Sequence, residues 1–162
     1  MNFETSRAKA LDKLDNFIEN NLSEYSKLRN FDFGPKNRSN TSCLSPYITH
    51  GIIKEKEIIE KSLNKFSFSK NEKFIQEVLW RTYWKGWLEL RPNVWNDYLI
   101  ELNNMREDFN NNQNYLNAIE GKTKIECFDQ WVNELKENNY LHNHTRMWFA
   151  SIWIFTLELP WQ

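Results

Sequence analysis

Residues 74–87 read Phe-Ile-Gln-Glu-Val-Leu-Trp-Arg-Thr-Tyr-Trp-Lys-Gly-Trp, and the period of this run decides the fold class. Apolar side chains recur at helical intervals through Phe74, Val78, Leu79, Trp80 and Trp87, with Ser69 placed to cap the helix and Pro92 placed beyond its end. Inside it, the i, i+3, i+4 spacing of Glu77, Trp80 and Arg81 sets a carboxylate, an indole and a guanidinium on one face. Such a face can stack a planar ring and hydrogen-bond its edge. It equally fits an amphipathic helix with an exposed Glu–Arg pair and a core Trp.

Outward from this run the helical period continues. Thr5 or Ser6 caps a first helix whose apolar positions are Leu11, Leu14, Phe17, Ile18 and Leu22. Residues 30–42 turn polar around Gly34 and Pro35, and Pro46 suits the first turn of the next helix. Residues 54–63 make a short charged helix, and the Asn-rich stretch 103–117 is expected to be a surface loop with helical pieces. Two more helices are predicted, over 126–138 and 141–157. No strand alternation and no linker is visible, so the expectation is an all-α, multi-helical fold in a single domain over residues 1–162.

A chain of 162 residues matches one ordinary domain, and 40% hydrophobic content is enough to bury a core. The unusual weight is aromatic, with 8 Trp, 6 Tyr and 11 Phe. A net charge of −1 excludes a general polyanion binder, so any hold on nucleic acid must come from local basic groups. Cys43 and Cys127 lack metal-ligand spacing and read as free thiols of a reducing, cytoplasmic compartment. No signal peptide opens the chain. The most apolar run, 147–157, falls short of the ~20 residues a membrane span needs and reads as a buried core helix.

Two further segments carry chemistry. Thr41-Ser42-Cys43-Leu44-Ser45-Pro46-Tyr47 gathers three hydroxyls at the mouth of a helix, where unpaired amides attract anions, although hydroxyls that merely cap the helix explain it as well. His142-Asn143-His144-Thr145-Arg146 crowds polar groups at the head of the apolar helix, where each needs a partner. A metal-nuclease reading of His-Asn-His fails, because His142 and His144 point to nearly opposite sides of a helix without a supporting Cys or carboxylate cluster, and no metal is expected.

Taken in order, these motifs resemble the flavin-binding helical domain of the DNA photolyase and cryptochrome family. They stand as Tyr25 with Arg29, Asn30 and Phe31, then residues 41–47, Glu77 with Trp80 and Arg81, Gly121-Lys122-Thr123, and His142-Asn143 with Arg146-Met147. The resemblance runs from about residue 23 to 161 and implies an all-α fold around FAD. It places Tyr25, Thr41, Ser42, Leu44 and Ser45 at the FAD phosphates, Phe74 beside the cofactor, and Arg81 and Arg146 in the order of the flavin site. It turns Glu77, Trp80, Asn143, His144 and Arg29 toward damaged DNA, with Glu77, Trp80 and Asn143 as the catalytic set and Trp80 stacked on an extruded pyrimidine dimer. Trp161 is similar to one member of a tryptophan relay feeding the flavin.

Departures from the pattern are Cys43 where many members carry Arg, Phe74 where many carry Trp, and Thr82 in place of a common Glu. The stretch near Asn110 offers no outermost relay Trp. The family's continuation with paired Asp and an Asn near the flavin ring does not follow Gln162, and the antenna domain does not precede residue 1, so the domain is expected to be incomplete. The expected activity of the complete form is blue-light-driven electron donation from reduced FAD to a pyrimidine dimer. The alternatives are a cryptochrome-like photoreceptor or flavin module without repair, and a remnant that needs a partner chain to supply the missing helices.

Overall fold

Ser6, one of the two predicted caps, accepts a hydrogen bond from the Lys9 N–H at 3.2 Å, and helix α1, Arg7–Asn20, begins behind it. Its buried residues are Ala10, Leu14, Phe17 and Ile18, the apolar stripe expected from the sequence. The computed structural model describes residues 3–109 and 112–162, the side chains of 106–108 excepted. These residues form helices, turns and loops without a strand. No helix among them is long and apolar enough to cross a membrane.

The chain gathers into two compact units, one reaching to Glu89 and one from Leu90 to Gln162. In the first, a 3₁₀ turn, Leu22–Glu24, leads into the single turn α2, Tyr25–Leu28. A polar loop then reaches α3, Ser45–Thr49, followed by α4, Glu55–Lys65, and the long α5, Phe68–Glu89. Pro46 sits in the first turn of α3 as predicted. The core joins Leu14, Phe17, Leu44, Tyr47, Ile58 and Phe74 with their neighbours.

Ser69 is not the cap of α5, which starts at Phe68, immediately after Ser67. Ser67 O accepts from the N–H groups of Lys70 and Asn71, and the buried Asn71 amide donates to Ser62 O (2.9 Å) and Phe66 O (3.0 Å). That side chain supplies donors to two carbonyls at the end of α4 and so fixes the α4–α5 turn.

In the second unit α6, Pro92–Phe109, and the helix after it supply the helical pieces expected within the stretch 103–117, and they take up more of it than a surface loop would. Pro92 ends nothing. It occupies the first position of α6, where a missing N–H costs no hydrogen bond. α7, Gln113–Glu120, is capped by Asn112, whose Oδ1 accepts from Tyr115 N–H at 3.1 Å. Residues 110 and 111 of the Asn-rich stretch lie outside the described residues.

α8, Glu126–Asn138, has the predicted bounds. α9, Asn143–Ser151, passes into a π-helical turn, Ile152–Thr156, so the predicted helix over 141–157 is shorter and irregular at its end. Its reading as a buried core helix is corrected as well: Met147, Trp148 and Phe155 are exposed, Phe155 by 77%. Among the described residues only one side, through Phe149, Ile152 and Trp153, packs on Phe128, Val132 and Leu159.

Candidate functional site

Arg29 follows α2, half-buried, and reaches across 48 residues of sequence to α5. Its Nη1 donates to Glu77 Oε1 at 2.5 Å, and the two side chains are 28% and 35% exposed. This tertiary pair replaces the Glu77–Arg81 pair that the helical spacing allowed. The Tyr25 phenol lies against the same two charges. Burial, and then the negative charge of Glu77, push its pKa upward, with Arg29 opposing. Tyr25, Arg29 and Glu77 therefore form one polar cluster, floored by Phe74, whose ring meets Tyr25 edge-on at 5.3 Å.

Phe74 itself is only 3% exposed and also packs on Phe17 at 5.4 Å. It offers no surface to a ligand, and Tyr25 is the ring above it. Trp80, by contrast, is 50% exposed, so the reading of a core Trp on an ordinary amphipathic helix does not hold. Its neighbours are Tyr83 at 5.4 Å, edge-on, and Trp84 at 6.2 Å, stacked.

The Thr41–Ser45 segment is held from behind. Asn40 is buried and its Nδ2 donates to Leu28 O and Phe31 O, both at 2.8 Å, while Arg38 and Asp32 pair at 3.2 Å almost out of solvent. These three residues fix the polar loop, and the sequence reading missed them. Their only signal was charged and amide groups in a loop too long to be left without partners.

Leu44 is buried, so what it can offer a ligand is main chain. Cys43 is buried at φ 50°, an uncommon backbone for a residue with a Cβ, and its Sγ lies 3.5 Å from Thr41 Oγ1. Ser42 and Ser45 are half-buried and make no side-chain hydrogen bond among the described residues. α3 has Leu44 at its N-cap and no side-chain cap, so these hydroxyls are not engaged in capping. Beyond α3, Thr49 Oγ1 accepts from Arg81 Nη2 at 2.7 Å, while Arg81 Nε is buried without a hydrogen-bond partner.

In the second unit, His142 is buried and caps α9, its Nδ1 accepting from His144 N–H at 3.1 Å. Asn143, first in the helix, is exposed, as is Arg146, whose guanidinium lies 5.7 Å from the Tyr140 ring centre. His144 is half-buried and meets the Trp148 ring edge-on at 4.6 Å. Trp161 is 62% exposed and lies 5.8 Å from Tyr98.

The Gly121-Lys122-Thr123 motif is accounted for by the fold. Gly121 ends α7 at φ 72°, and the Asp129 carboxylate accepts from Thr123 N–H (2.9 Å), Thr123 Oγ1 (2.7 Å) and Lys124 N–H (3.1 Å). The loop is thereby tied to α8.

Helices without a strand among the described residues, carrying these motifs in this order, match the all-α architecture of the helical domain of photolyases. Comparison with known proteins agrees. No family model matches the chain. The deoxyribodipyrimidine photo-lyase of Vibrio cholerae is 26% identical over 165 residues, covering 99% of this chain and 34% of that protein. The one from Agrobacterium fabrum is 30% identical over 160 residues, covering 94% and 32%. The crystal structure of a bacterial class III photolyase from Agrobacterium tumefaciens superposes with a TM-score of 0.77 at 27% identity, over 96% of this chain and 32% of that one. Relatives named deoxyribodipyrimidine photo-lyase thus match nearly the whole of this chain, and its all-α fold matches the helical domain of a photolyase. It spans about a third of the length of the curated relatives it matches.

Proposed function

We propose that this chain forms part of the flavin site of a photolyase, and that the complete assembly binds FAD and splits pyrimidine dimers in DNA under blue light. The observation that carries the reading is the cluster on α5: a half-exposed indole, Trp80, beside a carboxylate, Glu77, whose charge is met by Arg29. An exposed ring with a polar edge group next to it suits a base taken out of the duplex, which is stacked on its face and hydrogen-bonded on its rim. Within the second unit taken by itself, Asn143 and His144 are the polar groups suited to DNA; within the first, Arg29 is.

The residues present suit FAD. The free hydroxyls of Ser42 and Ser45, Thr41, the main chain at Leu44 and the Tyr25 phenol are donors for a pyrophosphate. Arg81 keeps one buried N–H without a partner, and Arg146 presents an exposed guanidinium. Phe74 acts through Tyr25, which it supports. When bound, FAD supplies the photochemical electron. The chain's own part is to bind and orient, and Trp161 with its neighbour Tyr98 is the aromatic pair suited to refill the cofactor. Free Cys43 and Cys127 fit a cytoplasmic location.

A second reading has its own support. The exposed apolar side of α9 and of the π-helical turn after it, with Met147, Trp148 and Phe155, favours a site completed by further polypeptide that covers this face.

The test is the visible spectrum of the purified chain after loading with FAD and removing free cofactor, beside an Arg146→Ala variant. A retained, structured flavin band that the variant loses supports an autonomous pocket and calls for a dimer-repair assay. No retained flavin in either protein removes the autonomous site and leaves the completed-by-a-partner reading.

A further inference from the structure

We propose that Trp84, which the reading above leaves without a task, is the positioning residue that holds the Trp80 indole ready for a base. The inference rests on that reading of Trp80 as a stacking surface and adds the residue that orients it. In a helix, long side chains lean toward the N-terminus, so the residues at i+3 and i+4 lie back on residue i. Tyr83 and Trp84 stand in those two positions behind Trp80.

The Trp84 ring lies nearly parallel to Trp80, 23° apart with centres 6.2 Å distant, while Tyr83 meets both rings edge-on, at 86° to Trp80 and 82° to Trp84. Trp84 is held in turn by Trp87 at 5.7 Å and 68°. Offset-parallel and edge-to-face contacts are the two geometries that aromatic quadrupoles favour. Trp80 is thus backed on its C-terminal side by a wall of rings, with Glu77 one turn toward the N-terminus. Trp80, Tyr83 and Trp84 each remain about half-exposed, so the wall is not part of the core of its unit.

Without that wall, an exposed Trp on a helix is free to visit two χ1 wells and two χ2 orientations, about four states in all. A ligand that needs one of them then binds up to about fourfold more weakly, because only that fraction is competent. Trp84 therefore raises affinity without touching the base.

The experiment compares the 162-residue chain with Trp80→Ala, Trp84→Ala and Trp84→Phe variants. The probe is a single-stranded oligothymidylate carrying one cyclobutane thymine dimer, and the second readout is the NMR order parameter of the Trp80 indole N–H. The expected result is that Trp80→Ala abolishes most of the binding. Trp84→Ala lowers the Trp80 order parameter and weakens binding about two- to fourfold without lowering the thermal midpoint, and Trp84→Phe recovers most of both. If Trp80→Ala weakens binding while Trp84→Ala leaves either the order parameter or the affinity unchanged, the positioning role is overturned and the stacking role of Trp80 stands. If the wild-type chain does not bind the probe, or Trp80→Ala binds it equally well, the stacking role itself falls and this inference falls with it.

Discussion

The Arg29–Glu77 contact is the long-range interaction on which the charge of the candidate site depends, and a double-mutant cycle measures it. Arg29→Met keeps the aliphatic stem, Glu77→Gln keeps the shape of the carboxylate, and the double variant closes the cycle. Opposite charges 4 Å apart gain about 1 kcal/mol in water and about 4 kcal/mol where the effective dielectric constant is ~20. Both side chains here are roughly a third exposed, which moves the pair toward the aqueous limit. The 2.5 Å hydrogen bond and the Tyr25 phenol beside it move it back. The expected coupling is therefore about 1–2 kcal/mol at low salt. Urea denaturation of the four proteins reads it, and about 1 M salt should remove only part of it, since screening acts weakly on half-buried pairs. A coupling under ~0.3 kcal/mol would mean that the contact is not held in solution and that Arg29 does not meet the charge of Glu77.

Three more outcomes follow from the geometry. Burial and Glu77 raise the Tyr25 pKa in the folded chain, so the stability this group contributes is complete below the ordinary phenol value of about 10 and is lost as pH rises above it. Tyr25→Phe should therefore flatten the alkaline limb of the stability curve, and an unchanged limb counts against the cluster. Gly121→Ala puts a Cβ 3.2 Å from Asp129 O and 3.3 Å from Val132 Cβ at φ 72°, and should destabilise its unit by roughly 1–2 kcal/mol in urea denaturation. Asp129→Ala strands two backbone N–H groups and a hydroxyl, for a loss of about 2 kcal/mol by the same measurement, with Asp129→Asn losing less because one acceptor oxygen survives.

Helix existence was legible where local chemistry decides it. Ser6 caps α1, Pro46 opens α3, and α8 has the predicted bounds because its apolar period is undisturbed. The period failed to place α6, since Pro92 reads as a stop when followed from α5 and as a start when followed into α6; only the chain's path distinguishes the two. It failed again at residues 147–157, because hydrophobicity predicts burial only where a neighbour exists to bury against, and among the described residues α9 finds one on a single side. The site divides in the same way. The Glu77–Trp80 spacing was visible, whereas Arg29 as the partner of Glu77, Asn40 and Arg38 as the supports of the loop, and Asp129 behind Thr123 depend on contacts that spacing alone does not specify.

α5 shows why the two halves of the candidate site should respond separately. Its buried residues, Asn71, Phe74, Ile75 and Val78, all lie in the first half of the helix, and beyond them Trp80, Tyr83, Trp84 and Leu88 are exposed. The first half is therefore held by apolar tertiary packing, and the second by the helix itself together with the polar contacts of Arg81 to Thr49 and Lys85 to Glu55. Glu77 stands at the junction and takes its partner from a loop 48 residues earlier, so anything that loosens residues 25–40 should release its carboxylate. Trp80 takes its contacts from residues three and four positions later on the same helix and should keep its orientation through that loosening. An Asn40→Ala variant, which removes the donors to Leu28 O and Phe31 O, makes the separation measurable. It should diminish the Arg29–Glu77 coupling while leaving the Trp80 order parameter in place. Loss of both together would mean that the aromatic wall depends on the loop and that the site is one cooperative unit rather than two.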